Sequence, residues 1–292
     1  MARVLGLVRL MRLANVVTAV ADVLAGIAIS GYLINSDNYL PVLLLCISTI
    51  GLYSGGIIFN DVFDAGLDAI ERPERPIPSG MVSLSEAIAF GSLFFAIGIS
   101  AAALFQPASF AIAIAIVLAC LSYNRWAKHY TIWGPLNMGL CRGLNLMLGL
   151  SIVASEIEDW WFLGLIPLLY IASITVVSRG EVHGGNRNML TFAAILYSIV
   201  IISILGVSVS LQNIELTLIF LVPFVLMIFK PLIRAHKLPS PENIGKAVKA
   251  GVIALILLNA SWAGAFGIWE LALVIVILLP LSLWLSKSFA VT

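Results

Sequence analysis

The sequence predicts an all-α, polytopic transmembrane helical bundle of nine to ten spans, and three observations predict it. The chain is 61% hydrophobic and only 11% charged, whereas a soluble domain carries about 25% charged residues. Its mean hydropathy is +1.07. Apolar stretches recur along the whole chain at close to the roughly 20 residues that a helix needs to cross a bilayer core.

The elements follow in order. The opening "MARVLGLVRLMRLANVV" is interrupted by Arg3, Arg9 and Arg12. A cleavable signal would have an unbroken apolar centre, so this stretch reads as a short interfacial helix leading into the first span. Ten apolar segments follow, at about 14–34, 40–60, 84–105, 108–123, 132–154, 161–178, 189–210, 215–233, 247–266 and 269–286. The ninth is the weakest, because Asn259, Ser261 and two glycines interrupt it. No polar stretch is longer than a connecting loop, so residues 1–292 read as a single transmembrane domain. The net charge of +1 gives no reason to expect a nucleic-acid partner. Cys46, Cys120 and Cys141 lie in apolar runs without a CxxC pair and read as small core residues.

The charges sort by side. Of the 16 basic residues, all but Arg142 fall before the first span or in and around the loops after even-numbered spans. The opposite loops carry Asp37, Glu156, Glu158, Asp159, Glu215 and Glu270, and no Lys or Arg. The positive-inside rule then makes the basic side cytoplasmic and puts both termini there. A multi-pass protein of a bacterial inner membrane is the expected setting. Nine spans would strand Lys287 outside, which favours ten. Asp22 in the first span and Arg142 in the fifth remain inside the bilayer, where charge is costly. Either they form a structural ion pair or Arg142 lines a polar pocket.

The stretch "NDVFDAGLDAIERPERPIPSG" carries the chemistry. On a helix, steps of three and four bring Asn60, Asp61, Asp64 and Asp68 to one face at the cytoplasmic end of the second span. Carboxylates that close require a cation, and hard oxygen donors favour Mg²⁺. Mg²⁺ commonly bridges carboxylates to substrate phosphates. Arg72 and Arg75, each followed by proline, supply rigidly placed cations for phosphate oxygens. The bland alternative is a solvated acidic loop.

The pattern NDxxDxxxD followed by RPxRPIPSG resembles the first signature of the UbiA superfamily of intramembrane prenyltransferases, and the resemblance extends along most of the chain. "YNRWAKH" is similar to the family's Tyr-and-Lys element, at Tyr123 and Lys128. "GPLNMGLCRGLNLMLG", with Arg142 and Asn145, fills the place of its glycine-rich fifth helix. "RLANVVTAV" fits the first helix, with Asn15 near the site, and "ENIGKAVKAGVIALILLNA" fits the C-terminal part. The resemblance implies a central cavity open to the cytoplasmic side and an isoprenoid tail in a lipid-facing groove. It implies Mg²⁺ bridging Asp61, Asp64 and Asp68 to a prenyl diphosphate donor.

The chain departs from the family at its second motif, DxxxD. Here it reads "VVSRGEVHGGNRNML", with Ser178 and Val182 at the aspartate positions. Glu181 with His183 and Asn186 could hold a second metal. Alternatively Arg179 and Arg187 could replace that metal by direct charge, or catalysis could be lost. "SRGEVHGGNRN" most resembles the EboC branch of the superfamily. Glu181, His183 and Asn186 suit hydroxyl groups, which favours a small polar acceptor. The expected function is therefore Mg²⁺-dependent prenyl transfer to such an acceptor. The alternatives are a transporter or non-catalytic prenyl-lipid binder, or a terpene cyclase of the same fold.

Overall fold

The computed structural model describes residues 2–181 and 184–288, and every long element in it is a helix. They run α1 Ala2–Leu10, α2 Leu13–Ile29, α3 Tyr32–Asn35, α4 Leu40–Glu71, α5 Leu84–Phe105, α6 Pro107–Arg125, α7 Trp133–Leu150, α8 Glu156–Trp160, α9 Leu165–Ser178, α10 Arg187–Ser210, α11 Ile214–Lys237, α12 Pro241–Ala265 and α13 Trp269–Ser288. A short 3₁₀ turn, Ala127–His129, links α6 to α7.

Nine helical stretches among the described residues are long and apolar enough to cross a bilayer. The fifth expected span, α7, is not among them. Its sequence WGPLNMGLCRGLNLMLGL is only 18 residues long and carries four glycines, two asparagines and Arg142. It is nevertheless a helix, packed against α2, α6 and α9. Its polarity reflects burial among other helices rather than contact with lipid. The ninth expected span, α12, is likewise an unbroken helix. It is the most enclosed of the apolar helices, and its buried Asn259 and Ser261 are hydrogen-bonded, to Asp22 of α2 and to Leu257 O of α12.

The N-terminal expectation is met by a break. Arg12 adopts a left-handed conformation (φ 45°) between α1 and α2. That kink lets α1 lie apart from the span it precedes and fixes where the Arg12 side chain points.

Two apolar cores share the central helices. One is built from α9 to α12 with part of α7, the other from α2, α4, α5 and α6 with faces of α12 and α13. At the α2–α7 crossing a Cβ added at Gly26 or Gly149 would overlap the backbone of the opposite helix. Small residues that let backbones touch are the usual means of packing helices in lipid. Here they draw Asp22 and Arg142 into contact.

Candidate active site

Helix α4 does not end where its apolar run ends. It continues through Glu71, which makes the spacing of the acids a true helical spacing. At about 100° per residue, Asp68 lies roughly 20° from Asp61 around the axis and Asp64 roughly 60° away. The structure follows this arithmetic. Asp61 and Asp68 are both buried, each 4% exposed, and share one partner. Arg75 Nη1 lies 2.7 Å from Asp68 Oδ2 and 3.4 Å from Asp61 Oδ1. Asp64 turns to a different partner, the ammonium of Lys128. Arg12 closes the set by donating to Asp61 Oδ1.

Local structure explains each cation. After α4 the chain folds back through Pro73, Pro76 and Pro78, with Arg75 N–H bonded to Arg72 O at 3.0 Å and Val82 N–H to Pro76 O at 3.1 Å. Gly80 ends the turn at φ +74°, a value that suits glycine. That compact turn aims Arg75 at the acids and leaves Arg72 exposed at the helix C-cap. Lys128 is delivered by the 3₁₀ turn after α6. The three carboxylates therefore form charge-assisted pairs with Arg12, Arg75 and Lys128 rather than converging on one point. Among the described residues no group of three His, Cys, Asp or Glu side chains is arranged to hold a metal ion.

Beneath these pairs lies a cavity of about 200 Å³. Its upper wall carries Arg12, Asn15, Asn60, Tyr123 and Asn124. Asn60 Nδ2 donates to Asn124 Oδ1 at 3.1 Å, and Asn124 Nδ2 donates to Gly56 O at 3.0 Å. Further along α4 the wall becomes Leu52, Tyr53 and Ile57, joined by Ile116, Cys120 and Cys141. Tyr53 and Asp61 are eight residues apart, so the cavity descends about 12 Å from the acids. Cys120 and Cys141 line the cavity, while Cys46 and Cys120 pack against a core as expected. Cys120 Sγ donates to Cys141 Sγ at 3.8 Å, and both are free thiols.

At the deep end both readings of the intramembrane charges hold together. Arg142 Nη1 lies 2.6 Å from Asp22 Oδ2, and Nη2 donates to Thr18 Oγ1 at 2.6 Å. Asp22 also accepts from Asn145 at 3.3 Å and from Asn259 at 2.8 Å. Asn145 in turn donates to Ala19 O and accepts from Thr49, at 2.8 and 2.7 Å. Arg142 stacks 4.9 Å from the Tyr53 ring centroid, and both Arg142 and Asn145 line the cavity.

The altered second motif is brought together less closely. Arg179 donates to Thr131 O at 2.7 Å and lines a neighbouring cavity of about 330 Å³. Glu181 follows a turn closed by its N–H on Ser178 O at 3.0 Å, and its carboxylate sits beside Gly245 of α12. Partial burial raises its pKa above the ordinary glutamate value. Asn186 caps α10, accepting from Asn188 N at 2.8 Å. Arg187 reaches the end of α11, 3.4 Å from Lys237 O. Arg72, Glu181, Asn186 and Arg187 line neither cavity, and His183 lies outside the described residues. Sequence reasoning missed Arg12, Tyr53 and Asn124. Arg12 had a usable signal, since it lies one helical turn before Asn15.

A model of the UbiA prenyltransferase family matches residues 19–251. The chain belongs to that family. Digeranylgeranylglyceryl phosphate synthase of Saccharolobus solfataricus is 31% identical over 172 residues, 58% of this chain and 58% of that protein. The same-named protein of Methanothrix thermoacetophila is 29% identical over 191 residues, 64% of this chain and 70% of that protein. The match thus spans less than two thirds of the first of these relatives. A solved structure concerning digeranylgeranylglyceryl phosphate synthase shares the fold at a TM-score of 0.68 and 22% identity, covering 91% of this chain and 100% of that one. A UbiA homologue from Archaeoglobus fulgidus bound to GPP and Mg²⁺ does so at 0.64 and 16%, covering 91% and 99%. The UbiA-family chain is accordingly an integral, multi-pass membrane protein with the helical architecture its sequence predicts.

Proposed function

We propose that this UbiA-family protein is a Mg²⁺-dependent intramembrane prenyltransferase that moves an isoprenyl group from a prenyl diphosphate to a small polar acceptor. One observation carries the reading. Three carboxylates on α4, each paired with a cation, follow within about two helical turns of Asn60, which with Arg12 lines a cavity whose lower wall is largely apolar. A diphosphate accompanied by a divalent cation matches this arrangement charge for charge. Arg12, Arg75 and Lys128 would pair with phosphate oxygens, and Asp61, Asp64 and Asp68, released from them, would be free to hold the metal.

The donor set fits Mg²⁺. Asp61, Asp64 and Asp68 offer hard oxygens from one helix, and Mg²⁺ favours one or two carboxylates plus substrate phosphates over an all-protein cage. The lack of a three-acid cluster among the described residues accords with that habit. Bound Mg²⁺ would neutralise negative charge on the diphosphate as it leaves. Arg75, Lys128 and Arg12 stabilise the same developing charge from fixed positions. Asn60, held by Asn124, and Tyr123 orient the polar head. The donor's C1–O bond breaks, and the diphosphate departs with the electron pair. The acceptor's nucleophilic atom then bonds to C1 and sheds its proton. The walls formed by Leu52, Ile57 and Ile116 shield the intervening allylic cation from water. Glu181 joins the metal side of the site from the α9–α10 connection.

The relatives named digeranylgeranylglyceryl phosphate synthase and the A. fulgidus homologue bound to GPP and Mg²⁺ support the reading. Purified protein incubated with Mg²⁺ and C10 to C20 prenyl diphosphates tests it. Acceptor-dependent diphosphate release is expected. Release without an acceptor would favour a cyclase. No release despite tight donor binding would favour a non-catalytic binder, which the altered second motif makes the second reading. The basic loops support a site on the cytoplasmic face. A C-terminal reporter active only outside the cytoplasm would overturn that placement.

A further inference from the structure

We infer that Cys120 and Cys141 form a redox-active dithiol in the wall of the main cavity, which a peroxide closes to a disulfide, and that this bond weakens donor binding. The thiol chemistry stands apart from the prenyltransferase reading; its consequence for the donor rests on that reading. The two cysteines come from different helices, α6 and α7, yet Cys120 Sγ donates to Cys141 Sγ at 3.8 Å. Cys141 Sγ in turn donates to Asn137 Oδ1 at 3.8 Å, one turn back along α7. On its other side Cys120 is seated on α4, where a Cβ added at Gly56 would lie 3.0 Å from its sulfur. Both thiols line the cavity and neither is fully buried, so a small oxidant entering the cavity meets them together. Cys46, the remaining cysteine, is not among the residues that line it.

The thiolate of one cysteine attacks the terminal oxygen of the peroxide, and the O–O bond breaks. An alcohol or water leaves with the proton that the thiol gave up, and a sulfenic acid remains. The second thiol attacks that sulfur, the S–S bond forms, and hydroxide leaves with the second thiol's proton as water. The two sulfurs lose two electrons, and the peroxide oxygens gain them. A small thiol reopens the bond by exchange. A disulfide is about 2.05 Å long, so the sulfurs approach by about 1.7 Å from their 3.8 Å separation. That movement reaches the polar head of the site. Asn124 lies one turn after Cys120 on the same face of α6, and it holds Asn60 at 3.1 Å and Gly56 O at 3.0 Å. Arg142 follows Cys141 directly. Drawing α6 towards α7 therefore disturbs Asn60 and narrows the cavity. Where thiols are kept reduced, the disulfides that form are transient, which suits a reversible brake.

The test uses the full chain in detergent, treated with hydrogen peroxide and then freed of it, and an unreactive geranylgeranyl thiodiphosphate as donor analogue. Alkylation in denaturant should find the three free thiols reduced to one. Peptide mapping should join Cys120 to Cys141 and leave Cys46 free. Mg²⁺ and the analogue, added before the peroxide, should slow closure, because the analogue occupies the cavity the thiols line. Treated wild type should bind the analogue about tenfold or more weakly than untreated protein, and dithiothreitol should restore the affinity. The double variant Cys120→Ser, Cys141→Ser should keep its own untreated affinity within about twofold after peroxide. A disulfide through Cys46, or thiols oxidised without a Cys120–Cys141 bond, would overturn the inference. So would undiminished binding in treated wild type, or an equal loss in the double variant, which would assign the effect to another side chain such as Met138. If the analogue fails to bind untreated protein, the prenyltransferase reading fails, and peptide mapping still decides the disulfide.

Discussion

Asp61 and Asp22 are both aspartates paired with arginine inside the same bundle, yet they are built for opposite purposes. Asp22 of α2 accepts from Arg142, Asn145 and Asn259, so α7 and α12 hold it at once. Arg142 is itself shared among Asp22, Thr18 and the Tyr53 ring. Asp61 is held by Arg12 and Arg75, which come from a kink and a proline-rich turn outside the spans. The side chains of those two arginines are 22% and 13% exposed, against 5% for Arg142. The lesson is one of exchangeability. An ion pair saturated by helices from several directions is architecture. One whose cations arrive on turns at a cavity mouth can trade partners when a polyanion enters.

The sharpest way to break this comparison is to remove a cation from each region. Arg142→Met should destabilise the protein by about 3–5 kcal/mol, because it strands a buried carboxylate. Thermal unfolding in detergent reads the effect, and Asp22→Leu combined with Arg142→Met should recover most of the loss. If Arg142→Met melts like the wild type, the deep network is not architectural. At the mouth, Arg75→Gln, whose amide can still donate to Asp68, should lower melting less than Arg142→Met does and weaken Mg²⁺-dependent donor binding about tenfold, or roughly 1.4 kcal/mol. Arg72→Gln, three residues away and exposed, should change it by about twofold or less. Equal effects from the two arginines would remove the distinction drawn from the turn.

Glu181 gives the smallest and most informative effect, because its sign reverses with ligand. Burial raises its pKa above the ordinary glutamate value, so its charged form is disfavoured in the folded protein. That penalty is complete above the raised pKa and fades as pH falls towards the unfolded value. Without Mg²⁺, Glu181→Gln should therefore melt slightly higher at neutral pH, with the difference vanishing in acid. With Mg²⁺ and donor present, the same variant should bind donor more weakly and need more Mg²⁺. Tighter donor binding would instead move Glu181 to the acceptor side and leave a one-metal site.

Much of this was legible before any coordinates. Helix limits followed apolar runs wherever a helix meets lipid, as in α5 and α10. They failed where a helix meets only other helices. The glycines and Arg142 of α7, and Asn259 of α12, look like interruptions until their partners are known, and those of Gly149, Arg142 and Asn259 lie more than a hundred residues away. The acids of α4 were readable because helical spacing is local. The Arg12–Asp61 pair was not, since it depends on a single left-handed residue and on how α1 swings away from α2. The second motif was readable only as a departure. Its residues sit in loops, where no periodicity reports which side chain turns inward, and the structure sends Arg179 one way and Arg187 another.

The central claim is that the α4 acids hold a prenyl diphosphate through Mg²⁺. Calorimetric titration of an unreactive geranylgeranyl thiodiphosphate into wild type and Asp64→Ala, with and without Mg²⁺, tests it most directly. Wild type should bind only with Mg²⁺, and Asp64→Ala should lose that binding by about a hundredfold or more while melting as a folded protein. Undiminished affinity in Asp64→Ala, or binding in wild type that ignores Mg²⁺, would contradict the account.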